Sequence, residues 1–283
     1  MAATSPAGAP SEPSSPSGSS APSAPGAASG AVKSCLRTLQ VLELLSSADD
    51  DFSIADMSRI LGIPKSSLHG LVHTMSDRGW LAADRSGLRF RLGLKNAVVA
   101  MSFLDRDLVV SLSKTALDSL AELTGETVHL GRLDGDEIVY LAKRESTHAL
   151  RLYSAVGRRL PAHATALGKA ALATLPEEQV LATLPERLVP LTPNTITARD
   201  RLMEDLAETR QRGYAVDNGE NTEGISCLAF ALRSEAAEHS AISCSVPTVR
   251  LTPQRVTSVL EALSAAAGKI DGLLAHASRR QIE

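Results

Sequence analysis

The sequence predicts an α+β chain of two unequal domains, a small N-terminal winged helix-turn-helix and a larger C-terminal α/β domain. Three observations carry this expectation. At 283 residues the chain is longer than one typical domain. Between residues 32 and 92, three short amphipathic helical patterns run into a strand, a turn and a strand. Beyond Gly125, stretches with strand alternation interleave with stretches of helical spacing.

Residues 1–30 are almost wholly Ala, Ser, Pro and Gly, with Glu12 the only charged side chain. Such a segment has too little apolar surface to offset its ordering entropy, so a disordered tail is expected. From Val32-Lys33-Ser34, the positions Leu36, Leu39, Val41, Leu42, Leu44 and Leu45 outline a first helix ending near Ala48-Asp49. Ser53 suits the cap of a second, with Ile54, Met57, Ile60 and Leu61 on one face and Gly62 as its stop. Pro64 fits the first turn of a third, whose inner face is Leu68, Leu71, Val72 and Met75 and whose end is Gly79. Trp80-Leu81-Ala82 and Leu88–Leu92 then read as strands around the turn Asp84-Arg85-Ser86-Gly87.

A helical linker over 94–106 separates this domain, 31–93, from the second, 107–283. The second begins with an amphipathic helix carrying Leu108, Leu112, Leu117, Leu120 and Leu123. A hairpin follows, 127–133 and 137–142 around Asp134-Gly135-Asp136. Helices are expected at 165–174, 177–183, 197–212 and 253–275, and strands at 214–217, 225–232 and 239–246.

Composition narrows the function classes. Hydrophobic residues make up 43% of the chain, enough for a packed core, yet no apolar run reaches bilayer length, so no membrane partner is expected. No basic residue precedes Lys33, which argues against a secretory signal or transit peptide. The three cysteines, Cys35, Cys227 and Cys244, form no CxxC pair and suit a reducing, cytoplasmic setting. A net charge of −3 is not that of a strongly basic nucleic-acid binder. Its distribution matters more, because residues 31–100 hold nine Lys/Arg against seven Asp/Glu.

The order helix, short Gly62-containing turn, helix, strand hairpin is that of a winged helix-turn-helix, which makes double-stranded DNA the expected partner. The third helix is then the reader. With 68, 71, 72 and 75 turned inward, Lys65, Ser66, Ser67, His69, Gly70 and His73 occupy the opposite face, where they can meet base edges and phosphates. In the wing, the strand period of two puts Arg89 and Arg91 on one side and Leu88, Phe90 and Leu92 on the other. Two guanidiniums on one face suit backbone phosphates.

These segments resemble the IclR-type bacterial regulators. The resemblance runs through Leu36-Arg37-Thr38-Leu39-Gln40-Val41-Leu42, Ile63-Pro64-Lys65-Ser66-Ser67-Leu68-His69, Gly79-Trp80-Leu81 and Phe90-Arg91-Leu92-Gly93. It continues in Gly125–Leu130, in the long stretch Gly157–Ala170, in Arg212–Asp217 with Glu220, and in Gly224–Ala229, so it covers nearly everything from residue 32 onward. The family commonly carries Arg after the reader His; this chain has Gly70, which removes one contact group and implies a different operator.

The resemblance implies a GAF-like α/β effector domain with a ligand pocket on one side of an antiparallel sheet. It places His163, Ala164, Thr165, Ala166, Asp217, Cys227, Ser243 and Ser245 around that pocket. The residues themselves agree in part. His163–Ala166 precede an apolar helix whose free N–H groups can hold an anion, and the hydroxyls of Ser243 and Ser245 share a strand face. That mixture suits a small organic acid. Cys227 and Cys244 fit a small-core role equally well, Ser243 and Ser245 fit plain cross-strand packing, and Asp217 and Glu220 fit loop caps. A metal held by His163, Asp217, Cys227 and Cys244 lacks the close ligand spacing such sites show, so neither metal nor cofactor is expected.

Gly168-Lys169 is not a phosphate-binding loop, since 163 is His and 170 is Ala, and no GxSxG, HExxH or GxGxxG occurs. The expectation is therefore a non-enzymatic regulator, a repressor rather than an activator, acting as a homodimer or dimer of dimers under control of a small carboxylate. The alternatives are an enzyme of unfamiliar type or a metabolite-binding protein without sequence-specific DNA binding.

Overall fold

The computed structural model describes residues 32–47, 50–152 and 154–280. The expected tail at 1–30 and the expected end of the first helix at Ala48-Asp49 lie outside the described residues. The chain forms two compact units, dividing after Asn96.

The first unit contains α1 (Lys33–Ser46), β1 (Phe52–Ser53), α2 (Ile54–Leu61), α3 (Lys65–Asp77), β2 (Leu81–Ala83) and β3 (Arg89–Leu92). Ser53 caps α2 in a reciprocal box: its Oγ accepts from Asp56 N at 3.2 Å, and Asp56 Oδ2 accepts from Ser53 N at 3.2 Å. Gly62, at φ +67°, ends α2 where an L side chain would be strained. Pro64 stands at the N-cap of α3 rather than inside its first turn, and its carbonyl accepts from Ser67 N and Leu68 N. Val41, Met57, Ile63, Leu68, Val72, Met75, Leu81 and Phe90 close the core.

Two expectations shift here. Strand β1, too short to show periodicity, joins the sheet in the order β1-β3-β2. Leu88, expected on the wing's inner face, is 69% exposed, because Asp84 Oδ1 accepts from the Leu88 and Arg89 N–H groups and holds Leu88 in the turn. Pairing therefore starts at Arg89, while Phe90 is buried as expected.

Helix α4 (Leu94–Arg106) carries Leu94, Val98, Val99, Met101 and Phe103 exposed. The second unit then runs α5 (Leu108–Thr124), β4 (Thr127–Asp134), β5 (Glu137–Arg144), β6 (Arg159–Pro161), a 3₁₀ turn at Ala162–Ala164, α6 (Ala166–Leu172), α7 (Glu177–Thr183), α8 (Arg199–Arg212), β7 (Ala215–Asn218), β8 (Ile225–Ala231), β9 (Ser240–Pro247) and α9 (Pro253–Arg280). The strands form one antiparallel sheet in the order β6-β5-β4-β9-β8-β7. On one face α5 and α9 bury Leu117, Leu120, Val128, Leu228, Val246 and Leu263. Leu123, expected on the apolar face of α5, is 74% exposed; the buried row continues instead through Thr124, four residues on from Leu120.

The other face is built from small residues. Ala215 pairs with Ala229 and Ala231 with Ala241, and Ala166, Ala170 and Ala171 of α6 lie over them. A Cβ on Gly131 would stand 3.1 Å from Leu167 Cδ1, and one on Gly168 would overlap the Ala162 backbone at 2.2 Å. Gly131 thus leaves room on the sheet for Leu167 of α6, and Gly168 lets α6 pack against the Ala162 backbone of the preceding turn, with the N-terminal end of α6 over the site described below.

Candidate functional site

On α3, Lys65, Ser66, His69, Gly70 and His73 are exposed and Ser67 is half-buried, opposite the buried Leu68, Val72 and Met75. The rings of His69 and His73, one helical turn apart, lie 4.4 Å apart, and His73 meets the buried Phe90 edge-on. In the wing Arg89 and Arg91 are both exposed and point the same way. Both also engage Asp51: Arg89 Nη2 donates to its carbonyl at 2.5 Å, and Arg91 Nη1 lies 3.3 Å from Oδ2. Sequence reasoning missed Asp51, since the contact spans about forty residues and no local pattern reports it.

The second unit holds a small buried pocket on the α6 side of the sheet. Thr165, Ala166, Asp217, Cys227, Ser243 and Ser245 line it, with Tyr140, Leu152 and Leu167 as apolar walls and Asn221, Thr222 and Ile225 at the end of β7 and the start of β8. Register explains the convergence. Asp217, Cys227, Ser245 and Thr127 are direct cross-strand neighbours on four successive strands, and Ser243 faces His129 in the next row. The enclosed room is about 10 Å³, that of one water molecule.

Two expected pocket residues stand elsewhere. His163 and Ala164 are buried in the 3₁₀ turn, and His163 Nε2 lies 3.1 Å from the Val189 carbonyl. Burial holds the His163 imidazole below its usual value. The N–H groups expected to hold an anion are partly used, because Thr165 Oγ1 caps α6 by accepting from Gly168 N at 3.0 Å. Cys244 faces the opposite side of the sheet, in the core under α5 and α9. His163, Asp217, Cys227 and Cys244 therefore do not assemble, and no group of three metal-ligating side chains occurs among the described residues.

The polar groups around the pocket are arranged by charge. Asp217 Oδ1 accepts from Glu220 N at 2.6 Å and from Asn221 N at 3.4 Å, which fixes its carboxyl. Burial outweighs those bonds and pushes it up to about 6. Burial likewise drives the Cys227 thiol far up, so it stays protonated and donates to Ser245 Oγ at 3.2 Å. Behind Asp217, Lys169 is 1% exposed, with Nζ 2.6 Å from Glu220 Oε1 and 3.1 Å from Asp205 Oδ2. His129, beside Tyr140, is neutral because burial lowers it to about 3, and its Nε2 holds Ser154 Oγ at 2.7 Å.

Tyr140 was within reach of the alternation in β5, but a bulge beside Leu130/Gly131 changes the parity of that strand, so Tyr140 and Lys143 share the pocket side where strict alternation would pair Tyr140 with Ala142. Leu152, Asn221 and Thr222 come from irregular backbone, where no period exists to read.

A winged helix-turn-helix in one unit and a sheet domain with a small pocket in the other fit a DNA-binding transcription regulator. Residues 34–85 match the family model of the IclR helix-turn-helix domain, and residues 101–272 match that of the bacterial transcriptional regulator IclR C-terminal domain. The chain belongs to the IclR family of bacterial transcriptional regulators. It is 36% identical over 236 residues to the HTH-type transcriptional regulator XynR of Escherichia coli (strain K12), covering 83% of this chain and 94% of that one. It is 34% identical over 229 residues to the transcriptional repressor IclR of the same organism, covering 80% and 84%. Among solved structures, a transcriptional regulator from Alicyclobacillus acidocaldarius superposes with a TM-score of 0.77 at 26% identity, covering 86% of this chain and 99% of that one. An IclR homolog from Microbacterium hydrocarbonoxydans, complexed with 4-hydroxybenzoate, gives a TM-score of 0.72 at 25% identity, covering 86% and 99%. Among the described residues no helix is long and apolar enough to cross a membrane.

Proposed function

We propose that this regulator is a cytoplasmic repressor whose operator affinity is set by a small organic acid bound in the pocket of the second unit. The observation that carries this is the convergence of Thr165, Ser243, Ser245 and Asp217 within apolar walls, a donor-rich buried site suited to a small polar molecule. The 4-hydroxybenzoate bound by the Microbacterium relative supports the ligand class. With room for about one water, the pocket must part its walls to admit an acid, and Leu152, carried on irregular backbone, is the wall best able to move.

The reader is α3, through Lys65, Ser66, Ser67, His69 and His73, and Arg89 and Arg91 take phosphates. The protein acts as a homodimer or dimer of dimers, with two reader helices in successive major grooves about 34 Å apart. The exposed apolar side chains of α4 supply a surface for that pairing. The acid acts by population shift, changing DNA affinity only as far as it prefers one dimer geometry. Binding, with no chemical turnover, is the whole activity.

Electrophoretic shifts on the promoter of the protein's own operon, with and without acids chosen by thermal shift, test the reading. A specific complex that one acid weakens is expected. The Ser67→Ala, His73→Ala double variant should lose specific affinity while keeping its circular dichroism, since each good base contact is worth about 1–3 kcal/mol. No specific complex under any condition, or unchanged operator affinity in the folded double variant, overturns it.

A further inference from the structure

The pocket has an unbalanced charge. Among the described residues lining it, Asp217 alone is ionisable near neutrality, and no Lys, Arg or His is among them. Lys169 stands behind Asp217 on α6, but its ammonium is already enclosed by two carboxylates, Glu220 from the turn after β7 and Asp205 from α8. Arg212 of α8 lies 3.7 Å from Asp205, on the far side of that cluster. From β8 the Cys227 thiol faces Asp217, and from β5 the Tyr140 hydroxyl does; both are neutral. Further along the same side, His129 is neutral, and the cations Lys143 and Arg158 belong to the neighbourhood of His129 and Tyr140. A carboxylate entering this pocket therefore meets one fixed negative charge and, among the described residues lining it, no cation.

Asp217 cannot swing aside, because the Glu220 and Asn221 N–H groups hold its Oδ1. Two carboxylates confined together in a buried site cannot both stay ionised. The remaining side-chain donors are neutral: the Asn221 amide and the hydroxyls of Tyr140, Thr165, Thr222, Ser243 and Ser245, the last of which accepts from Cys227 and keeps its own proton to donate. These can hold one anion but cannot cancel a second.

We propose that the pocket binds a monocarboxylic acid together with one proton, which Asp217 takes from solvent and shares as a hydrogen bond with the ligand's carboxylate. The proposal rests on the acid-sensing reading above and adds the charge state of the complex and the role of Asp217 as the residue that selects it. The ligand class is an acid with a single carboxylate and no other negative charge. With the Asp217 carboxyl near 6 before binding, proton uptake should approach one per site at neutral pH and above. Affinity should level off about one pH unit below the Asp217 value, bend through it, and fall about tenfold per pH unit from about one unit above it.

The experiment uses the full chain. Aromatic acids, beginning with 4-hydroxybenzoate and benzoate, with 2-keto acids and sugar acids, are screened by thermal shift near pH 6, where binding is favoured. Each acid that binds is titrated calorimetrically from about pH 6 to about pH 8 in phosphate and in Tris, whose different ionisation heats give the proton count. Uptake of close to one proton with the tenfold slope is the expected result. Asp217→Asn keeps the acceptor for the Glu220 and Asn221 N–H groups, so it should bind the same acid with neither uptake nor slope. An acid that binds the wild type with no proton uptake and a flat profile overturns this inference and leaves acid sensing standing. Uptake that persists in Asp217→Asn overturns the assignment to Asp217. If no acid binds at any pH, both readings fall; the wild-type proton count decides the matter even where the variant does not fold.

Discussion

Asp217 and Gly70 each carry a local stability cost that a single substitution can measure. Folded Asp217 keeps its proton up to about pH 6, against a usual value of 3.8, because it is buried among groups that do not compensate its charge. The folded state therefore binds more protons than the unfolded chain between about pH 4 and pH 6, so this group makes stability fall as pH rises through that window, and the loss persists above it. The cost at neutral pH is on the order of 3 kcal/mol. Asp217→Asn should accordingly melt higher than wild type at neutral pH, and the difference should vanish below about pH 4. Thermal melts across that range check the sign; a difference that grows on acidification would contradict it. Gly70 sits inside α3, and a Cβ there meets nothing within 4 Å. Gly70→Ala should therefore stabilise the full chain by about 1 kcal/mol in denaturant melts, with no steric offset.

At the level of elements, the proposed reading gives the wing and α3 different parts in DNA recognition. Arg89 and Arg91 project from one face of β3, but Asp51 holds both and offsets part of their charge. If they contact phosphates, Arg89→Ala and Arg91→Ala should weaken binding to all sequences alike. Each should then lower the salt slope by about 0.9, the counterion release of one phosphate contact. Asp51→Asn should act in the opposite direction and raise non-specific affinity. Salt titrations of the three variants on operator and random duplexes measure this. A loss confined to the operator, with the slope unchanged, would mean that the arginines read bases.

For the whole molecule, if an acid in the pocket controls DNA affinity, coupling needs a physical link from the sheet to the linker helix, and Arg132, on the α5 side of the sheet, offers one. It leaves β4, two strands from the Cys227 row, and its guanidinium forks onto Asp107 at 2.7 and 3.1 Å while Nε holds Ser240 of β9 at 3.1 Å. Asp107 caps α5 through Val110 N, directly after α4. A shift in the β4–β9 pair would thus be felt where α4 ends. Arg132→Gln should bind the acid with nearly wild-type affinity but transmit less of it. Coupling of this kind is typically worth about 1–3 kcal/mol, a roughly 5- to 150-fold change in DNA affinity, and in the variant that ratio should move towards one. DNA titrations with and without saturating acid give the ratio directly; an unchanged ratio rules Arg132 out of the path.

The sequence by itself determined the two-unit α+β organisation, the order of the major helices and strands and which side chains of α3 face outward. These rest on local periodicity, caps and turn glycines, which are written within a few residues of where they act, as Ser53, Gly62 and Leu68–Met75 show. By the family resemblance it also pointed to Asp217, Cys227, Ser243 and Ser245. Only the tertiary structure decided that His163 turns to Val189, that Cys244 lies on the other face, that Asp51 holds both wing arginines, and that Lys169 is already committed to two carboxylates. Those outcomes depend on strand register, a bulge and contacts across many tens of residues. A side chain's charge environment is set by what folds against it, and the local pattern of a chain carries no record of that.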